Sequence, residues 1–251
     1  DMDGDGDMDI IGTKNGASRN NDGSLTSESQ VTWYENNGTT NPSFTPNIVD
    51  TEAIGAQDVH IEDMDGDGDL DIIVATQDDD SVDWYENNGG SSKSWKKNHI
   101  SKNVNATNGI FVGDMDGDGD MDIVSGSEGD DTIAWYENNG AANPSFTATD
   151  IATSADFAHH LFVADLDGDG DLDIVSASHN DDTIAWYENN GAANPTWTAT
   201  DIATNKDGAN FVYVADMDGD GDMDIISTSS LDDTIAWYEN DPDIDDILTD
   251  G

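Results

Sequence analysis

The strongest constraint on this chain is a period. The acidic string that opens it, DMDGDGDMD, returns in nearly the same form with its first aspartate at Asp63, Asp114, Asp165 and Asp216. A second string, WYEN, begins at Trp33, Trp84, Trp135, Trp186 and Trp237. The steps between acidic strings are 62, 51, 51 and 51 residues. From each Trp to the next acidic string is always 30 residues, and from the acidic string to the Trp is 21 in every copy but the first, where it is 32. The 11 extra residues of the first copy therefore lie within TKNGASRNNDGSLTSESQ. A fixed period of this length means equivalent units that bury their faces against their neighbours.

One unit reads as four short strands. In residues 159–202, HHLFVAD is apolar and leads into the acidic loop as strand A, and DIVSAS follows the loop as strand B. NDD is a turn. TIAWYENN is strand C, with β-branched and aromatic residues in alternation. GAANP punctuates, and TWTATDIA is strand D. No window of helical length shows a 3.6-residue period. Four antiparallel strands repeated at this spacing predict an all-β β-propeller of four-stranded blades. Trp135 and Tyr136 point to opposite sheet faces, and both can be apolar if a blade is covered on both sides. The whole of 1–251 is read as one propeller domain with repeats starting at 1, 63, 114, 165 and 216. No strand A precedes Asp1, and DPDIDDILTDG replaces a normal strand D at the end. The five repeats fit either a closed five-bladed ring or part of a larger ring, with 241–251 as a ring-closing strand or a linker.

The acidic strings follow D-x-D-x-D-G-x-x-D. In the second copy Asp63, Asp65, Asp67 and Asp71 stand at positions 1, 3, 5 and 9, Gly68 at 6, and Asp69 at 7, where its backbone carbonyl is the expected donor. The corresponding sets are Asp1, Asp3, Asp5, Asp7, Asp9; Asp114, Asp116, Asp118, Asp120, Asp122; Asp165, Asp167, Asp169, Asp171, Asp173; and Asp216, Asp218, Asp220, Asp222, Asp224. Alternating carboxylates on a curled loop aim at one point, and a hard cation such as Ca²⁺ takes six to eight oxygens. The glycine at position 6 permits a left-handed turn. This is half an EF-hand loop only: position 12 is Gly12, Val74, Ser125, Ser176 or Ser227, not Glu, and no helices flank it. The ninth-position Asp is expected to close the site. Transition metals would call for His or Cys, which these loops lack. The expectation is about five Ca²⁺ ions, one per repeat.

Composition agrees. With 56 acidic and 7 basic side chains the formal charge is −49, which excludes nucleic acid as a partner and opposes compaction unless cations neutralise part of it. Disorder, the other reading of such a charge, is opposed by seven Trp, six Tyr and six Phe at regular places. There is no cysteine, so disulfides do not hold the fold. No apolar run reaches a membrane span of about 20 residues.

With these residues in hand, the chain resembles the FG-GAP/VCBS repeat family, the integrin-α-like calcium-binding β-propeller. The segments that carry the resemblance are FVGDMDGDGDMDIVSGS and the following TIAWYENNG. The resemblance implies calcium in the loop between strands A and B, and an extracellular (secreted or cell-surface) setting similar to that of adhesins, lectin-like propellers and some polysaccharide lyases. The Phe-Gly and Gly-Ala-Pro signature is poorly kept; IFVGD and LFVAD stand in its place, which suggests the bacterial VCBS branch.

Strand direction alternates, so A–B and C–D loops share one face and B–C and D–A loops the other. The second face carries what differs between copies: the insertion with Lys14 and Arg19, His179, SKNVNATNG and SADFAHH. Lys93, Lys96, Lys97 and Lys102, four of the six lysines, gather in and after strand D of the second copy. A partner, either a glycan or an extracellular protein, is expected here. The expected function is a non-enzymatic binding or adhesion module. The alternatives are a structural subunit of a surface layer or filament that self-associates, and a polysaccharide lyase with His159 and His160 as acid and base. The conserved-position Trp residues are expected to pack between blades rather than stack on sugars, and the ENNG strings to form turns.

Overall fold

The computed structural model describes residues 1–15, 29–89 and 94–240, and the backbone of 249–250. Arg19, Lys93 and the core of the first-copy insertion lie outside the described residues. The described elements are all β. Strands β1 (Ile10–Lys14), β2 (Gln30–Asn36) and β3 (Phe44–Asp50) form a three-stranded sheet in that order. The next sheets run β4 (Ala56–Glu62), β5 (Asp71–Thr76), β6 (Ser81–Asn87), β7 (Trp95–Ser101), and then β8 (Thr107–Gly113), β9 (Asp122–Ser127), β10 (Thr132–Asn138), β11 (Phe146–Ala152). The fourth is β12 (Ala158–Ala164), β13 (Asp173–Ser178), β14 (Thr183–Asn189), β15 (Trp197–Ala203). The last is β16 (Ala209–Ala215), β17 (Asp224–Ser229), β18 (Thr234–Glu239), β19 (Thr249–Asp250). All pairings are antiparallel between chain neighbours, as a meander of tight turns requires. The two-residue β19 pairs with Tyr238 and Glu239, so the tail supplies a fourth strand to the last sheet.

Each blade is expected to be sandwiched, and the core shows how. The Trp of each WYEN string faces forward and the Tyr faces back, because successive side chains of a strand leave opposite faces. Trp84 clusters with Ile110, Ile123 and Tyr136 of the following sheet. Trp135 clusters with Leu161, Ile174 and Tyr187, and Trp186 with Val212, Ile225 and Tyr238. Trp33 joins Ile72, Val74 and Tyr85. Four equivalent interfaces therefore join five sheets. The strand-C Trp and Tyr residues that face a neighbouring sheet are core, as the sequence indicates.

The two outer faces of the stack are not covered by described residues. Ile133 and Ile184 are 0% exposed, whereas Ile235 at the same position of the last sheet is 79% exposed. Trp237 is 37% exposed, and so is Tyr34 on the back of the first sheet. The inner strands of consecutive sheets carry an aromatic ladder: His60 on Phe111 at 4.8 Å, Phe111 on Phe162 at 5.2 Å, and Phe162 on Tyr213 at 4.9 Å between centroids.

Candidate functional site: the acidic loops and the face opposite them

Each acidic loop is organised by its first aspartate. Asp63 Oδ1 accepts from the N–H groups of Gly66 at 2.9 Å and Asp67 at 3.2 Å, and its Oδ2 accepts from Gly68 at 2.9 Å. The third and fifth positions repeat the trick at shorter range: Asp67 donates to Asp65 and Asp69 donates to Asp67. These Asx-type contacts curl the chain. Gly68 has φ of 93°, a conformation that glycine adopts without strain; Gly66 at position 4 has φ of 71°, a second left-handed residue that the EF-hand comparison does not call for.

The curl brings carboxylates together. One oxygen each from Asp1, Asp3 and Asp5 lie within 4.8 Å of one another, as do those of Asp63, Asp65 and Asp71; Asp114, Asp116 and Asp118; Asp165, Asp167 and Asp169; and Asp216, Asp218 and Asp224. The donors are all hard oxygens, with no His or Cys among them, so the set fits a hard divalent cation and not a soft one. One cluster per repeat could hold a metal. Without a cation, burial and the neighbouring carboxylates push Asp65, Asp116 and Asp167 up.

The aspartates at positions 7 and 9 have distinct places. The side chain of Asp120 lies under the turn after strand C: a Cβ on Gly140, which has φ of 63°, would meet Asp120 Oδ2 at 1.9 Å. Asp7, Asp69 and Asp171 stand against Gly38, Gly89 and Gly191 in the same way. The ninth aspartate is a clip. Asp122 Oδ1 accepts from Asn138 N at 2.7 Å, and its Oδ2 from Trp135 Nε1 at 3.0 Å and Met115 N at 3.2 Å. Asp71 does the same with Asn87, Trp84 and Met64. Burial pushes Asp71 and Asp122 up to about 7, against the pull of these donors. At Asp9, which is less enclosed, the donors win and the carboxyl is held below its usual range.

The Asn that ends each WYEN string is missed as a working residue by sequence reasoning, which reads it in the ENNG copies as part of a turn. Asn138 Nδ2 donates to Met121 O in its own loop and to Met64 O in the loop of the preceding sheet, both at 3.0 Å. Asn87, Asn189 and Asn240 bridge to Met2, Met115 and Leu166 in the same way. The only sequence signal is that this Asn never varies between copies. The second Asn and the Gly do form the turn: Asn139 Oδ1 accepts from Ala141 N and Ser145 N.

The opposite face carries the unrepeated residues. The B–C turn aspartate reaches the next D–A loop: Asp80 Oδ1 accepts from Ala106 N, and Asp131 and Asp182 hold Phe157 and Gly208 in the same way, each at 3.0 Å. Near the inner strands a polar collar forms. Gln57 donates to Gln77 at 2.7 Å, Gln77 to Glu128 at 2.6 Å, and Asn108 also donates to Glu128. His159 Nδ1 sits 2.9 Å from Asn210 O, and its Nε2 is 3.8 Å from Glu128. His160 instead lies against the ring of Phe211 at 4.0 Å. The two histidines thus engage different partners and do not converge as a pair. Lys97 is enclosed between carboxylates, whereas Lys96 pairs with Glu86 on the outer strands.

The model of the FG-GAP-like repeat matches residues 1–74, 63–125, 114–176 and 165–227. The chain belongs to this repeat family and has its propeller-like fold. Among solved structures it is similar to an Agrocybe aegerita lectin, described as recognising non-reducing terminal N-acetylglucosamine, with 21% identity and a TM-score of 0.57 over 93% of this chain. It is also similar to a periplasmic gluconolactonase of Pseudomonas aeruginosa, with 13% identity and a TM-score of 0.60 over 93% of this chain. The chain spans 63% of the lectin's length and 68% of the lactonase's. No curated protein sequence matches it. No helix is long and apolar enough to cross a membrane among the described residues.

Proposed function

We propose that this chain is a calcium-stabilised extracellular binding or adhesion module that recognises a glycan or a protein through the loop face opposite the acidic loops. The observation that supports this most is where the repeats differ. The acidic loops and strands B and C recur with few changes, while Gln77, Glu128, His179 and Ser230, at one position of the B–C turn, share no side chain. Variable side chains on a rigid repeated scaffold are the usual form of a recognition surface. The lectin of the same fold makes a glycan the ligand class to test first.

The proposed metal ligands are the aspartates at positions 1, 3, 5 and 9 of each loop, with the position-7 carbonyl. Calcium there supplies positive charge at the point where the carboxylates converge, and an extracellular setting supplies the ion at about 1 mM, above the Kd of about 10⁻⁴ M open to such modules. The test is a glycan array and a panel of extracellular matrix proteins, each probed with and without EDTA. Retention of a ligand in calcium and its loss in EDTA are expected. Failure to retain any ligand in calcium would remove the reading.

A second reading, a structural subunit that associates blade to blade, draws on the uncovered faces at Ile235, Trp237 and Tyr34. Concentration-dependent light scattering that disappears on changing Trp237→Ser would favour it.

A further inference from the structure

One blade breaks the repeat inside its outer strands. In the third and fourth sheets the cross-strand pairs at the outer edge are Ala134 with Asp150 and Tyr136 with Ala148, then Ala185 with Asp201 and Tyr187 with Ala199. In the second sheet the same pairs are Asp83 with His99 and Tyr85 with Lys97. Three substitutions therefore place an acid, an imidazole and an amine together where blades three and four have two alanines and an exposed acid, and where the first sheet pairs Thr32 with Ile48 and Tyr34 with Pro46, all uncharged.

These groups form a connected network. The Asp83 side chain is 0% exposed, and it lies 2.9 Å from Lys97 Nζ and 2.6 Å from His99 Nδ1. Ser81 Oγ donates to it at 3.2 Å. Lys97 also reaches Asp50 of the preceding sheet at 3.1 Å, and Asp50 accepts from the Tyr85 hydroxyl at 2.7 Å. Around them opens a cleft of about 550 Å³ between the first and second sheets, whose wall also includes Glu52, Asp79, Trp95 and Lys102. A buried ion pair adds little stability over apolar groups of similar size, and blades three and four pack with alanine at the Asp83 and Lys97 positions and an exposed aspartate at the His99 position. The fold does not need this network.

We infer that the cleft is a binding site for a neutral saccharide. An anionic ligand is disfavoured, because Asp50, Glu52, Asp79 and Asp83 outnumber Lys97 and Lys102, and Lys97 already lies between two carboxylates. A divalent cation is disfavoured by the Lys97 amine at the centre. Vicinal hydroxyls suit the cleft: each can donate to a carboxylate and accept from an amine. With Nδ1 held by buried Asp83, His99 keeps Nε2 for the cleft, and its side chain is 39% exposed. Trp95 supplies an aromatic surface for the C–H face of a sugar ring. The inference rests on the reading of the chain as a binding module and adds the place and the ligand class.

The test uses the calcium-loaded chain on an array of neutral, uronate and sulfated oligosaccharides, with Kd measured for whatever is retained. The variant carries Asp83→Ala, Lys97→Ala and His99→Asp together, the residues that blades three and four hold at the same positions, so the Asp83 charge is not left buried without its partners, and Asp50 keeps the Tyr85 hydroxyl and the Glu52 N–H as donors. Neutral glycans are expected to bind the native chain, and the variant is expected to lose at least tenfold in affinity with its melting temperature and calcium uptake unchanged. Trp95→Ala is expected to weaken binding similarly. Undiminished neutral-glycan binding by the triple variant would overturn the site while leaving the binding-module reading in place. Retention of uronates or sulfated glycans alone would overturn the ligand class. A calcium-dependent protein ligand with no glycan bound would overturn the inference and spare the broader reading.

Discussion

Asn138 Nδ2 donates a hydrogen bond to the carbonyl oxygen of Met64, 74 residues earlier in the chain, at 3.0 Å. Both residues are buried, at 2% exposure. The bond ties the acidic loop of one blade to the strand-C end of the next, and its own loop through Met121 O. The seating of one acidic loop is therefore mechanically joined to that of its neighbour. Changing Asn138→Ala leaves two carbonyls without this donor, and a buried unsatisfied polar group costs about 1–3 kcal/mol. Equilibrium urea unfolding is expected to show a loss of that size. Asn139→Ala, one residue on in an exposed turn, should cost less.

The position of an isoleucine in the stack decides its worth. Ile133 and Ile235 occupy the same place in strand C, but the first is sealed between sheets and the second is exposed. Ile133→Ala is expected to destabilise by about 2–5 kcal/mol, the range for deleting a buried Ile side chain. Ile235→Ala should fall within about 0.5 kcal/mol. Guanidinium unfolding of both variants measures this. An equally large loss at Ile235 would mean that another blade, or a second copy, covers that face in solution.

Much of this was legible in the sequence because a period is a long-range signal. The 51-residue step fixes which residues are equivalent, and strand boundaries read from residues 159–202 fall within a residue or two of β12 to β15. The inward-facing Trp and Tyr were legible for the same reason: both faces of a repeated blade must be covered. The Asn138 staple was not, since Asn followed by Asn-Gly has the local chemistry of a turn, and only its burial reveals the inter-blade bond. Position 9 was legible as an acid near the loop, but its Trp135 and Asn138 donors come from 13 and 16 residues away. The lysines of the second copy stood out by number, yet the cleft depends on Asp83 meeting His99 across a strand register, which composition does not show. His159 and His160 are neighbours in sequence, but one meets Asn210 and the other Phe211.

Calcium should be measurable as stability. At about 1 mM free ion and a Kd of about 10⁻⁴ M, each occupied loop contributes about 1.4 kcal/mol. Titration calorimetry on chelator-stripped chain is expected to show uptake of several ions per chain, with the melting temperature rising as calcium is added. Asp116→Asn should remove about one ion and lower the calcium-dependent part of the stabilisation while leaving the others. No uptake, or a melting temperature indifferent to calcium and EDTA, would remove the metal from the account.

The pH dependence of stability should carry a His160 signature. Burial pushes its imidazole down to about 4, and its Nδ1 finds no hydrogen-bond partner among the described residues. Asp58 opposes the shift, while His159 and His60 add to it, and the face of Phe211 covers the ring. The folded state therefore holds the proton less tightly than the unfolded chain, whose imidazole titrates near its ordinary value of about 6.5. Above about pH 6.5 the residue is neutral in both states and has no pH effect. As pH falls from there toward 4 the unfolded state gains a proton that the folded state refuses, so stability is lost through that window. At pH 5 the loss is at most about 2 kcal/mol, since each pKa unit is worth 1.36 kcal/mol. His160→Phe, matching Phe211 at the equivalent place, removes the titrating group without opening a cavity. Denaturant unfolding of native and variant chains in calcium at pH 7.5 and pH 5 is expected to show the variant's advantage growing by about 1–2 kcal/mol at the lower pH. An advantage that stays constant between the two would show that His160 carries its proton equally well folded and unfolded.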